Sequence, residues 1–253
     1  MTHSCVTDLS AAGSLTWAHF GSVNISDVFD TDTAVPDPSD WSAVTQRRQG
    51  VGPALIAGTL LHYSTSPPPK QLLTWGAKPW PSDGARFSWS DGTPQRLSGP
   101  TARSGLYSSN GTFQLTIPAP AASADGTTAR KLTVFTGLFN FGATAQSTSD
   151  GIATGESYTN SATLRAASPG HEPVSHTVTH MDGNNNDAVN TRFEIVFDGA
   201  LTVTWGLDPL SRLCNTALID CGWVGLQAAA LASWDGEVGG VTLRGVEIVN
   251  KEP

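Results

Sequence analysis

The chain has 253 residues, a formal net charge of −8 and only 14 % charged side chains. Its basic residues are scattered, which excludes the electrostatic footprint of a nucleic-acid partner. No run approaches the roughly 18 apolar residues of a membrane-spanning helix, so no membrane insertion is expected. Hydrophobic residues at 39 %, with eight tryptophans and nine phenylalanines, exclude a disordered chain.

The opening "MTHSCVTDLS" lacks the charged and apolar regions of a signal peptide, so no leader is expected within the given chain. The first strand-like run is "SLTWAHF" (14–20), where Trp17 and His19 fall on one face of a strand. That pair could be a binding platform, part of a catalytic site, or core. The next stretch, "SDVFDTDTAVPDPSDWS" (26–42), carries five aspartates, two prolines and Trp41, and reads as a long acidic surface loop. Asp27, Asp30 and Asp32 within it repel one another, and a cation such as calcium would relieve that repulsion; a solvated acidic loop explains the composition as well. "SDWSAVTQR" is one of two stretches with helical character, the other being "LQAAALA".

After "ALIAGTLLHYS" (54–64), the segment "LLTWGAKPWPSDG" (72–84) places Trp75 and Trp80 among turn-forming residues. Rings in turns can offer flat faces on which sugars stack, with Asp83 and Lys78 near enough in sequence to bond hydroxyls; the alternative is that they plug the ends of a core. Runs at "ARFSWS" (85–90), "TFQLTIP" (112–118), "KLTVFTGLF" (131–139), "GATAQSTS" (142–149) and "ATLRAAS" (162–168) continue the strand pattern. In "HEPVSHTVTHMDGNNND" (171–187), His176 and His180 have the spacing of a helical zinc motif, but Thr-Val-Thr between them predicts a strand. Four residues of strand span about 13 Å, too far to chelate one ion without a bulge, so solvated or cross-strand histidines are expected. Asp182, Asn184 and Asn186 match the first places of a calcium loop, yet Asp187 and Phe193 stand where a glycine and a closing glutamate are needed. An Asn-rich turn accounts for them equally.

"RFEIVF" (192–197) and "LTVTWGL" (201–207) flank Asp198-Gly199, which predicts a tight hairpin. Cys214 and Cys221 in "CNTALIDC" could close a local disulfide, with Cys5 left over; two reduced buried thiols are the alternative. Trp223 follows that stretch. The last runs are "VGLQAAALA" (224–232) and "VTLRGVEIV" (241–249). About a dozen short strands without a βαβ rhythm predict an all-β chain, an antiparallel β-sandwich of jelly-roll type, in a single domain over 1–253.

The ordered set "DLSAAGSLTWAHFG" (8–21), "QRRQGVG" (46–52), "FSWSDGTP" (87–94), "GTFQLTIPA" (111–119), "RKLTVFTGLFNFGATAQSTSDG" (130–151) and "LTVTW…VGLQAAALA" resembles a bacterial extracellular β-sandwich module. That module opens with Asp-Trp-x-His-Trp-Gly and carries Ser-Trp-x-Asp-Gly-Thr-Pro in its middle. It occurs in secreted and surface proteins, often beside polysaccharide-degrading domains. Thr16 and Phe20 depart from the opening signature. The resemblance covers 6–232; the loops at 26–42 and 171–187 look like additions, and 233–253 an extension adding a strand. It implies a fold and an extracellular or cell-surface setting, and it makes Trp17 and His19 architecture.

No serine-nucleophile elbow, phosphate loop or carboxylate motif stands out. The expected function is a non-catalytic extracellular module that binds a glycan, through Trp75, Trp80, Trp41, Asp83 and Lys78. The alternatives are a structural or adhesive subunit, held to other copies or surface proteins, and a polysaccharide-active enzyme.

Overall fold

The computed structural model describes residues 6–19, 46–47, 70–71, 86–88, 106–109, 112–120, 129–140, 158–182, 188–208 and 222–249. The N-terminal elements are β1 (Val6–Asp8), a single helical turn α1 (Leu9–Ala12), β2 (Thr16–His19), and the short strands β3 (Gln46–Arg47), β4 (Lys70–Gln71) and β5 (Arg86–Ser88). Then come β6 (Leu106–Ser109), β7 (Thr112–Ile117), β8 (Arg130–Asn140), β9 (Tyr158–Ala167) and β10 (Val174–Asp182). The last are β11 (Ala188–Phe197), β12 (Leu201–Leu207), β13 (Gly222–Ser233) and β14 (Val241–Ile248).

Two sheets carry the fold. One has the order β10-β9-β12-β7; the larger has β14-β11-β8-β13-β2-β3, with β6 also paired to β13 and β4 to β6. All of these pairings are antiparallel. From β7 to β13 the chain changes sheet at every connection except β9 to β10, which stay side by side. With β2 beside β13, this is the strand order of a jelly roll, as the alternating runs predict.

Alternation sends one side of each strand inward. Phe113, Leu115 and Ile117 of β7, Ala162, Leu164 and Ala166 of β9, and Val203, Trp205 and Leu207 of β12 meet Leu132, Val134 and Leu138 of β8 and Phe193, Ile195 and Phe197 of β11. The Trp205 indole N–H donates to the Gly137 carbonyl at 3.3 Å, tying one sheet to the other. Phe193 packs against the Trp205 ring at 5.7 Å.

β13 is buried over most of its length on both sides. Opposite β8 its register shifts between Leu226 and Ala228, a bulge at Gln227. Val224 and Leu226 before the bulge, and Ala229 and Leu231 after it, face the main core; Ala228 and Ala230 face a second one. That second core lies on the outer side of the large sheet. Trp17 and Phe135 stand beside Ala230 and Ala228 there, and Leu9 and Phe87 cover them. Phe87 meets Phe135 edge to face at 5.0 Å. The covering layer is β1 and β5, paired in parallel, plus α1. Asp8 caps α1 by accepting from the Ser10 and Ala11 amides, and Gly13 closes it on the Leu9 carbonyl.

"VGLQAAALA" (224–232) is strand, as its place among the strand runs predicts, and its small side chains let β13 pass between two packed layers. One expectation changes. Asp198-Gly199 is a turn, with Gly199 at φ +74°, but not a hairpin. Both edges of β11 are taken by β8 and β14, so β12 must cross to the other sheet.

Arg130 latches that same end. It is buried, stacks over the Phe197 ring at 4.9 Å, and donates to the Pro118 carbonyl at 2.8 Å and to the Gly199 carbonyl. Burial pushes its pKa down to about 10, partly opposed by Asp198. Arg130→Ala should therefore lower the unfolding free energy in urea by about 3 kcal/mol, and Arg130→Lys should recover less than half of it, since a strongly hydrated ammonium has no planar face to stack on Phe197. A loss under about 1 kcal/mol would show that the latch is dispensable.

Candidate functional site

Of the residues singled out in the sequence, Trp41, Trp75, Trp80, Asp83, Lys78, Asp27, Asp30, Asp32, Asn184, Asn186, Cys214 and Cys221 lie outside the described residues. The backbone of Asp182 closes β10 opposite Tyr158. Trp223 sits in β13, paired with Phe139 and Ser109, and not in a turn. Trp17 is fully buried in the second core. It is architecture, although it braces the outer layer and not the end of the sandwich.

His176 and His180 lie on β10, whose ladder with β9 runs without a bulge. They share a face, with buried Val178 between them, and that face points inward. His176 meets the Phe193 ring edge-on at 6.1 Å, and the His180 Nε2 is buried without a hydrogen-bond partner. The histidines are thus half-buried and not solvated. The reason is register: putting Val178 into the core takes both neighbours two residues away with it. Among the described residues no group of three His, Cys, Asp or Glu side chains could hold a metal ion.

The other face of β10 leads to a polar surface, exposed on β10 and at Arg165 and half-buried across β12 and β7. Ser175, Thr177 and Thr179 are exposed, and the register places them beside Arg165, Thr163 and Ser161 of β9. Continuing across β12 and β7, one row reads Ser175, Arg165, Thr204, Gln114, and the next reads Thr177, Thr163, Gly206, Thr112. A third row holds Ala167, Thr202 and Thr116. The large sheet is covered on its outer side over β2, β13 and β8, with Arg192, Glu194 and Glu247 beyond that cover. The four-stranded sheet is lined on its outer side by hydroxyl, amide and guanidinium groups.

Part of the surface is preset. Asp208 continues β12 beside Ser161, held by its amide on the Ser161 carbonyl at 3.0 Å. Its carboxylate accepts from the Thr163 hydroxyl at 2.7 Å, and the Thr163 and Thr177 oxygens stand 2.8 Å apart. A carboxylate can only accept, so Thr163 spends its proton on Asp208 and Thr177 must donate to Thr163. The lone pairs of Thr177 then remain for an outside donor. Gly206 lets the Thr112 side chain lie against β12: a Cβ there would come 2.5 Å from the Thr112 hydroxyl.

Sequence reasoning located these strands but missed the surface, because a Thr-x-Thr run identifies a strand without saying which side stays open. It also missed α1, whose signals were Asp8 as cap and Gly13 as stop.

No family model and no curated protein matches the chain. Among solved structures it is similar to TmCBM61 in complex with β-1,4-galactotriose, at 11 % identity and a TM-score of 0.32, over 74 % of this chain and 99 % of that one. It is also similar to the enzymatically active domain of tailspike protein 4 from bacteriophage CBA120, at 10 % identity and a TM-score of 0.23, over 55 % of this chain and 17 % of that one. Likenesses this distant carry nothing about function.

Burial separates the two kinds of residue by experiment. Trp17→Ala should cost about 3–5 kcal/mol in denaturant unfolding, as for a buried ring. Arg165→Ala and Thr204→Ala, on the open surface, should stay within about 0.5 kcal/mol of the parent. An Arg165 variant as damaging as the Trp17 variant would mean that the surface is covered.

Proposed function

We propose that the chain is a non-catalytic extracellular module that binds carbohydrate. The observation that carries this reading is the asymmetry of the sandwich. The N-terminal layer seals the outer side of the large sheet over β2, β13 and β8, and charged Arg192, Glu194 and Glu247 lie on β11 and β14 beyond it. The four-stranded sheet carries rows of mostly uncharged hydroxyl and amide groups, with one guanidinium, on its outer side. Such groups, spaced by a sheet and partly fixed by their own hydrogen bonds, suit a ligand made of hydroxyls. The resemblance to a surface module found beside polysaccharide-degrading domains supports the same setting. The turn tryptophans Trp41, Trp75 and Trp80 supply stacking rings in this proposal, with Asp83 and Lys78 beside them. Calcium at Asp27, Asp30, Asp32 or at Asp182, Asn184, Asn186 belongs to the same reading, as does a disulfide between Cys214 and Cys221.

A second reading has one observation of its own. The edge strand β14 leaves Val246 and Ile248 exposed, Ile248 by 59 %. An open edge with apolar side chains suits a subunit that adds to a neighbour's sheet. Against it stand the register irregularity at Arg244 and the Arg192–Glu247 ion pair at 2.7 Å, which guard the edge.

The purified protein on a glycan array, with and without chelator, tests the proposal. It should bind a defined set of glycans and sediment as a monomer; concentration-dependent self-association without glycan binding would favour the edge-strand reading. Trp75→Ala and Trp80→Ala should keep the melting temperature and weaken binding roughly thirtyfold, the effect of losing about 2 kcal/mol at a hot spot. Variants that unfold would make these rings core plugs. Non-reducing mass mapping of secreted material should find Cys214 joined to Cys221, and two free thiols would count against the extracellular setting.

A further inference from the structure

Resting on the carbohydrate-binding reading, we infer that the open face of the four-stranded sheet is itself a subsite, and that it takes an internal segment of an uncharged, extended polysaccharide lying across the strands.

The shape argues for a chain and against a chain end. Two of the rows run over four strands, three steps of about 4.8 Å, so each spans about 14 Å; the third crosses three strands. Neighbouring rows are two residues apart, about 6.8 Å along the strands. Among the described residues the rows run flat across the sheet, with the Thr112 side chain filling the space over Gly206. A linear segment can lie along such a strip, held at several points; a single sugar would find only one or two.

The chemistry argues for a neutral ligand. Among the described residues of the face, Arg165 and Asp208 are the charged side chains, one of each sign. The chain as a whole carries −8, which repels an anionic polymer. Donor and acceptor are already sorted: Thr177 presents lone pairs because its proton goes to Thr163, and Arg165, next along β9, can only donate. A ligand hydroxyl can donate to Thr177 while a nearby ring or hydroxyl oxygen accepts from Arg165. Ser175, Thr204 and Gln114 extend that row on either side.

The same composition speaks against a protein partner or a second copy stacked on this face. Protein interfaces are centred on buried apolar and aromatic side chains. Here, apart from Ala167 and the aliphatic parts of threonines, the described surface has nothing apolar to bury.

The test uses the whole chain and a panel of linear polysaccharides (β-glucans, galactans, xylans, mannans, and a polyuronate as the charged control) with their oligosaccharides. Affinity electrophoresis finds the ligand, and calorimetry measures it. A neutral polymer should bind, its monosaccharide should not, and affinity should climb with oligosaccharide length. Arg165→Ala should weaken binding roughly tenfold, and Thr204→Lys, which raises a long side chain in the middle of a row, should weaken it at least as much. Both variants should keep the parent melting temperature. If a glycan binds but neither variant changes its affinity, the carbohydrate reading stands and this location is wrong, most plainly so if Trp75→Ala abolishes binding. Tighter binding of the polyuronate, or full affinity for a monosaccharide, overturns the ligand class. If nothing in the panel or on the array binds, both readings fall together.

Discussion

The pairing of β13 with β8 is the constraint on which the rest of the molecule hangs. These two strands occupy the middle of the large sheet, and each needs apolar contacts on both of its faces. The bulge at Gln227 lets β13 supply them from one short stretch of sequence. Without the extra residue, Ala229 and Leu231 would point outward, and Leu132 and Val134 would lose their neighbours on the inner side. The bulge residue is itself accommodated: the Gln227 side-chain amide reaches over β8 to donate to Asn190 on β11, and both groups are buried. Large and small side chains then alternate across the second core, with Trp17 beside Ala230 and Phe135 beside Ala228. Layer contact follows from that complementarity of size.

A consequence is that the two sheets end up with different outer faces. The large sheet must be sealed over β2, β13 and β8, because Trp17 and Phe135 would otherwise be exposed, and β1, α1 and β5 seal it there. The four-stranded sheet has no such debt. Its inward positions carry mostly Phe, Leu, Ile, Val, Ala and Trp, with His176, His180 and Asn160 among them, and its outward positions carry mostly Ser, Thr, Gln and Arg. It can therefore face solvent without loss of stability, which frees that side for a ligand. Function, on this view, is placed where the core makes no demand.

Buried polar groups follow the same economy. Arg130 spends its guanidinium on carbonyls where the chain changes sheet, and Trp205 uses its N–H to join the sheets. The pairing is incomplete elsewhere: the His180 Nε2 on β10, the Thr191 hydroxyl on β11, the Gln227 Oε1 on β13 and the Arg130 Nε on β8 are buried without hydrogen-bond partners.

The sequence by itself determined the class of fold and most of the strands, because period-two alternation survives in a single chain whenever one side is buried. It also determined that the His-Thr-Val-Thr-His stretch is a strand, since β-branched residues at that spacing fit a pleat and not a helix. Only the tertiary structure decided which side of each strand faces the core. Alternation in His176 to His180 is compatible with either choice until Val178 is matched to the opposite sheet. Only the tertiary structure decided that Asp198 and Gly199 join two sheets, because whether a turn closes a hairpin depends on which strand edges are already occupied. The parity change at Gln227 was invisible for the same reason. A bulge leaves local composition untouched, and it becomes necessary only when two cores claim the same strand.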